Sequence, residues 1–359
     1  MVTATTPSPE HKTEKPPRRR RWIPLSLRMF LAMLALLSLA CVWAGVRGYR
    51  QLAIIREIEQ LDGSVELTPA GPPWLRNLAG AERIRMFDNL NVVDLQRTPA
   101  TDMTLARVAG LTSLESLKLD HTQVTDAGLV PLRGLTGLQL LWLDHTQVTD
   151  AGIAHLQGLT SLQSLFLDHT EVTDAGLVHL RGLTGLQRLS LEHTQATDAG
   201  LVHLQGLTRL EVLWLNHTQV TDAGLAHLQG LTRLEWLWLA HTQVTDGGLV
   251  HLRALTSLQE LSFDSTQVTD DGLAHLQRLT SLQILLLTNT PITDAGLVHL
   301  QGLTSLQRLS LDTTRVTDAG LMRLQGLTRL EVLWLGHTQV TDAGCDELRR
   351  ALPGLKILR

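Results

Sequence analysis

From residue 111 onward the apolar positions obey one fixed pattern. In LTSLESLKLDHTQVTDAGLVPLRG, residues 111–134, leucine or valine stands at 111, 114, 117, 119, 124, 129 and 132. Leu117 and Leu119 alternate with Ser116, Lys118 and Asp120, which is the period of a half-buried strand. Thr125-Asp126 then precedes AGLVPLRG, where Leu129 and Leu132 share the inward side of a short helix. Thr125 is an N-cap residue type, Asp126 suits the positive end of the helix dipole, and Gly134 suits a left-handed C-terminal position. The segment HTQVTDAGL, residues 121–129, is therefore the corner between strand and return helix. Thr122 sits where the chain leaves the strand, and its hydroxyl is expected to satisfy backbone groups of the neighbouring coil.

The pattern returns every 24 residues, in ten full units that begin at Leu111, Leu135, Leu159, Leu183, Leu207, Leu231, Leu255, Leu279, Leu303 and Leu327. A weaker unit occupies 87–110. One unit cannot bury its apolar set alone, so the units must stack into a solenoid. The predicted repeat region is 87–350, with a truncated capping unit at 351–359. Ahead of it, 47–86 reads as a juxtamembrane helix and N-terminal cap. Leu52, Ile55, Ile58 and Leu61 give a helical stripe, Asp62-Gly63 stops it, SVEL is a short strand, and GPPWLRNLAG is a turn and short helix burying Trp74, Leu75 and Leu78.

The spacing L-x-x-L-x-L-x-x-T-x-V-T-D-x-G-L-x-x-L resembles leucine-rich repeats over about 87–359, in the variety with T-D-x-G-L after the strand. The resemblance implies an α/β fold: a horseshoe solenoid with a parallel β-sheet on the concave side and short helices on the convex side, generally used for protein binding. Where many members of that family carry Asn or Cys at the corner, this chain has Thr122, Thr146, Thr170 and their equivalents.

The apolar segment at the other end of the chain has a different character. MFLAMLALLSLACVWAGV, residues 29–46, runs 18 residues without a charge between Arg28 and Arg47. That length just crosses a hydrocarbon core of about 30 Å, and Trp22 and Trp43 suit its two interfaces. The long basic segment ahead of it and the lack of an A-x-A site favour an uncleaved transmembrane anchor over a signal peptide. In LSLAC, Ser38 stands where a lipoprotein signal has Leu, and apolar residues continue past Cys41, which disfavours cleavage there. Residues 1–28 form a basic tail. The excess of Lys and Arg on that side places the tail in the cytoplasm and the repeats outside it. Tail, anchor, cap and VTDAGL repeats together resemble membrane-anchored leucine-rich repeat proteins of planctomycete-type bacteria.

Charge follows the same division. Formal charge is +6 over residues 1–61 and −10 over 62–359. An acidic body argues against nucleic acid as a partner. Two cysteines, Cys41 and Cys345, give no disulfide framework.

Each strand directs three residues away from the core. The middle column reads Lys118, Trp142, Phe166, Ser190, Trp214, Trp238, Ser262, Leu286, Ser310, Trp334, and Trp236 adds an aromatic from the first column. Five of the eight Trp residues thus fall on one surface of a chain with only 4% aromatics. Aromatic side chains exposed in a concavity commonly anchor partners. The third column supplies Asp120, Asp144, Asp168 and Glu192, then Asn216, Ala240 and Asp264. The competing account is duplication: 205–224 and 325–344 differ at one position, so a Trp is copied with its unit.

Histidines form two rows. One precedes the corner Thr: His121, His145, His169, His193, His217, His241 and His337. The other lies on the helices, from His155 to His299 in steps of 24. A straight row does not converge on a metal as three or four zinc ligands must, so copying and solvent exposure account for both rows and no metal is expected. P-loop, H-E-x-x-H and G-x-S-x-G motifs are absent from the sequence, and no cofactor or catalytic residue is expected. The leading expectation is a non-enzymatic, membrane-anchored interaction module. It would hold a protein or peptide with Trp142, Phe166, Trp214, Trp236, Trp238 and Trp334, assisted by Asp120, Asp144, Asp168 and Glu192. The alternatives are an envelope scaffold without a defined ligand and a glycan-binding surface.

Overall fold

A computed structural model describes residues 27–69 and 85–359. The basic tail and the predicted helix around Trp74 lie outside the described residues. The chain divides into two compact units, Met1–Arg50 and Gln51–Arg359.

Helix α1 spans Leu27–Gln60 without interruption, where the sequence predicts an apolar segment and a separate amphipathic one. From Met29 on it is long and apolar enough to cross a membrane, with mean hydropathy 2.3 in its most apolar stretch and none of that stretch buried. Val42 and Trp43 are each 64% exposed, which a water-soluble core helix would not tolerate.

In the second unit Ile55 and Ile58 are buried, and the Gln51 side chain donates to the Arg85 and Asp88 carbonyls at 3.0 and 2.7 Å. The helix stops where Asp62 turns left-handed at φ 62° and the Gly63 N–H donates to the Ile58 carbonyl at 2.9 Å. Gly63 is required there, because a Cβ would lie 2.8 Å from the Asp94 carbonyl. Strand β1 (Ser64–Thr68) pairs antiparallel with β2 (Asn89–Asp94), and every later pairing is parallel. Among the described residues thirteen strands form one sheet in chain order, ending with β13 at Lys356–Leu358. From Ser116 to Trp334 each strand is three residues long, and each pairs with the next in a register of 24.

The core is the predicted one. Leu114, Leu117, Leu119, Val124, Leu129 and Leu132 are fully buried, and so are their equivalents through the solenoid. The return segment is four residues of α-helix followed by a short 3-10 helix, as in Asp150–Ile153 and Ala154–Leu156.

Three local expectations are corrected. Thr122 does not reach the neighbouring coil: its hydroxyl donates to the Leu119 carbonyl of its own coil at 2.6 Å, as Thr146 does to Leu143. Gly134 does not cap a helix in the left-handed region. It closes a 3-10 helix, and the equivalent positions carry Ala254 and Arg278, neither of them at positive φ. Asp126 does more than face a helix dipole. Its carboxylate crosses to the next coil, accepting from the Thr149 N–H at 2.8 Å and the Thr149 hydroxyl at 2.7 Å.

That last contact repeats from Asp102–Thr125 to Asp318–Thr341. It also explains the glycine of T-D-x-G-L. A Cβ on Gly176 would lie 2.5 Å from Asp150 Oδ1, which is already bonded to the Thr173 N–H at 2.7 Å. Asp, Thr and Gly of adjacent coils are thus one latch, and the carboxylate that closes it needs the space a side chain would fill.

Candidate functional site

The residue after each strand lies in the left-handed region. His121, His145, His169, His193, His217 and His241 have φ between 54° and 56°, and Ser265, Asn289 and Thr313 take the same conformation. Histidine and asparagine tolerate that region better than most residues. The backbone ladder continues through this turn, with the His145 N–H donating to the Asp168 carbonyl at 2.8 Å. The six rings stack in one pile, with centroids 4.0–4.1 Å apart and planes within 16°. Strands repeat at about 4.8 Å. A row of equivalent rings spaced more tightly than its strands lies on the inner side of the curve, so this is the concave edge of the sheet. Burial, and repulsion between neighbouring rings, hold His145, His169 and His217 below the usual histidine range.

The second histidine row is bonded too. The Arg181 guanidinium donates to His203 Nδ1 at 2.9 Å, and Gln277 meets His299 Nδ1 at 2.9 Å. Arg133 and Gln157 hold His155 and His179 the same way. Arginine has no acceptor, so its histidine partner is the neutral form protonated on Nε2. Six of the seven histidines of the first row are thus stacked, His337 standing apart, and those of the second row are bonded between coils. Among the described residues no group of three or more His, Cys, Asp or Glu converges as a metal site.

Register places the predicted aromatics in one column: Trp142 opposite Phe166, Ser190 opposite Trp214, Trp214 opposite Trp238. The rings touch. Trp142 meets Phe166 edge-on at 5.0 Å. Phe166 reaches Trp214 at 5.8 Å across the small, buried Ser190, and Trp214 meets Trp238 at 6.0 Å and Trp236 at 6.4 Å. Five aromatics therefore form one half-buried patch over five strands, and Lys118 closes its end with the ammonium 5.1 Å from the Trp142 ring. Trp334 lies four strands beyond Trp238 and joins no ring of the patch.

The carboxylates lie between the aromatic patch and the histidine pile. They are half-buried, and Asp144, Asp168 and Glu192 are partly engaged. Asp144 Oδ1 accepts from the Asp168 N–H at 2.8 Å, Asp168 Oδ1 accepts from the Glu192 N–H at 2.8 Å and from the Ser190 hydroxyl, and Glu192 accepts from Asn216 Nδ2 at 2.7 Å. Asp144, Asp168 and Glu192 each use one oxygen and leave the other without a hydrogen-bond donor. Asp120 Oδ1 and Trp142 Nε1 are buried with no partner. Burial, then the neighbouring Asp168 charge, raises both Asp144 and Glu192 to about 7. Burial also raises Asp120, Asp168 and Asp264. Asp120, Asp144, Asp168 and Glu192, with the histidines from His121 to His193, line an open trough of about 700 Å³.

Sequence reasoning found the columns but missed the aromatic contacts, the ring pile and the latch. The signal for the latch was present: an Asp always stands 23 residues before a Thr and 26 before a Gly.

Comparison with known proteins agrees with this architecture. The leucine-rich repeat family matches at residues 110–132. A crystal structure of an internalin from Listeria monocytogenes is similar at 25% identity, with a TM-score of 0.50 over 70% of this chain and 82% of that one. A leucine-rich repeat protein of Leptospira interrogans shares the fold at 19% identity, with a TM-score of 0.54 over 70% and 74% of the two chains. No curated protein matches the sequence. With thirteen strands in chain order, a return helix in each coil and these matches, the chain is a leucine-rich repeat protein.

Proposed function

We propose that this is a membrane-anchored interaction module, not an enzyme, and that it holds a protein or peptide against the aromatic patch and its bordering carboxylates. The observation that carries the reading is the mutual contact of Trp142, Phe166, Trp214, Trp236 and Trp238 on the concave face. Elsewhere in the solenoid the leucines of the repeat are buried between coils, and the exposed apolar side chains, such as Met103, Val130, Val178 and Val298, come one to a coil. Here five are gathered at the surface, where half-buried indoles anchor partners with little loss of side-chain entropy. Trp334 is a copy of the same unit without aromatic neighbours and is a secondary contact in this reading. The bare apolar stretch 29–46 supports an anchor, with the basic tail on the cytoplasmic side and the repeats on the other.

The test uses the full chain in a non-ionic detergent. It is immobilised beside two variants, Trp142→Ala/Trp214→Ala/Trp238→Ala and Trp334→Ala, each checked for fold by circular dichroism, and exposed to envelope extract. A protein held by the native chain and by Trp334→Ala but lost from the triple variant supports the reading. Equal profiles from all three would leave a scaffold without a ligand on this face, and enrichment of a carbohydrate without protein would transfer the patch to glycan binding.

A further inference from the structure

The aromatic patch contains a cation that nothing in the chain neutralises. Arg188 stands in the first strand column, on the same strand as Ser190, across which Phe166 meets Trp214. That strand is the middle one of those that carry the patch. Opposite Arg188 on the flanking strands are Ser164 and Val212, both buried, while Arg188 itself is exposed. Among the described residues it makes no hydrogen bond, ion pair or ring contact. Two other cations of these columns are differently placed. Lys118, at the end of the patch, is held by Asp94 at 3.3 Å and by the Trp142 ring. Arg308, the counterpart of Arg188 beyond the patch, is attracted by the charge of Glu260. The carboxylates of the trough do not serve Arg188 either. Glu192, on its own strand, is four residues on, about 13 Å away, and bonds Asn216 instead.

In water a guanidinium needs no partner. A protein that covers the indoles takes the water away, and an unpaired charge left under an interface works against the apolar contacts around it. The occupant of the patch must therefore bring an acceptor to this point. A carboxylate meets the planar fork of a guanidinium through two parallel bonds, which a neutral acceptor cannot match. We propose that the patch recognises an acidic and apolar peptide segment, in which an Asp or Glu side chain pairs with Arg188 while neighbouring apolar side chains lie on Phe166, Trp214 and Trp236. This rests on the reading that the aromatic patch binds a protein or peptide, and it names the chemistry of that partner. Arg188 then decides which apolar segments are accepted, because one without an acid would bury the guanidinium unpaired. The far flank fixes the orientation. Asp144, Asp168 and Glu192 border the patch on the side away from Arg188, and they repel a carboxylate laid the other way round.

Random peptides displayed on phage, each fused through its C-terminus so that acids come from side chains alone, are panned on the full chain in non-ionic detergent. The expected result is enrichment of peptides that carry Asp or Glu close to aromatic residues or leucine. An enriched peptide is then synthesised with an amidated C-terminus, beside a form in which Asn or Gln replaces the acid. Both are titrated calorimetrically against the native chain, Arg188→Gln, Arg308→Gln and the triple Trp variant. Replacing the acid should weaken binding to the native chain and to Arg308→Gln about tenfold or more, as expected of a close charge pair at an interface, and should change binding to Arg188→Gln little. An equal loss on the native chain and on Arg188→Gln overturns the proposal, as does enrichment of peptides without acids. If such acid-free peptides are lost from the triple Trp variant, the aromatic reading stands and the acidic occupant is wrong. If no peptide is enriched, or if binding ignores the triple variant, the reading on which the proposal rests falls with it.

Discussion

The corner latch and the concave face use the same 24-residue step and differ in what varies. At the latch, carboxylate, hydroxyl and missing side chain keep the same geometry from Asp102 to Asp318, with N–H bonds at 2.7–2.8 Å throughout. On the face the middle column changes from Trp to Phe, Ser and Leu while the strands stay in register. The latch has no freedom because each of its atoms is fixed by the next coil. The face has freedom because its side chains meet a coil neighbour on two sides only. Identity in the repeats therefore marks what holds the coils together, and variation marks where this molecule differs from a plain stack.

Breaking one latch is the most direct way to test that contrast. Asp150→Ala removes two charge-assisted bonds to Thr173 and leaves a half-buried N–H unpaired, an expected loss of about 2–4 kcal/mol in denaturant unfolding. Gly176→Ala alone should cost about 1–3 kcal/mol by displacing that carboxylate. The double variant should lose little more than Asp150→Ala, because the obstacle is gone. Simple additivity would mean that carboxylate and glycine are not one device.

The next effect belongs to the face and depends on pH. Asp144 is raised from 3.8 to about 7, so the folded chain holds this proton more tightly than the unfolded one. That contribution is complete below 3.8 and is lost as pH rises through 7, after which the buried charge opposes folding in full. Asp144→Asn keeps an acceptor for the Asp168 N–H and removes the charge. It should stabilise the solenoid by at most about 4 kcal/mol at pH 8 and by less than about 2 kcal/mol at pH 5, read from unfolding midpoints at both values. Equal gains at both would show that Asp144 is ionised throughout. A latch acid such as Asp150, with both oxygens bonded, should give no such gain.

Smaller effects sharpen the boundary between the two regions. Thr170→Val removes the hydroxyl bond to the Leu167 carbonyl at 2.6 Å and should cost about 1 kcal/mol. His169→Asn keeps a side chain that accepts φ 54° and should change stability by no more than about 0.5 kcal/mol, whereas His169→Val should cost about 1–2 kcal/mol. If Asn costs as much as Val, ring stacking and not backbone conformation sets that column.

Much of the molecule is legible in the sequence. Leu117 and Leu119 announce the strand, Leu129 and Leu132 the return helix, and the period announces the stack, because leucines at those spacings have no other way out of water. Columns follow from register, so Trp142, Trp214 and Trp238 are assignable to one surface before any coordinates. What register cannot give is reach. Whether Phe166 touches Trp214 depends on Ser190 being small, and whether Trp334 joins them depends on Ser262, Leu286 and Ser310 lying between.

The sequence by itself determined the solenoid, its core and the direction each strand residue faces, since period and polarity alone decide which side chains must be buried. Only the tertiary structure decided that Asp150 closes the next coil and not its own helix, that six histidines pile ring on ring, and that Asp144 and Glu192 hold protons near neutrality. Each of these is a property of two coils in contact. Distances between side chains 22 to 26 residues apart are set by strand spacing and curvature, and neither is written in any single repeat.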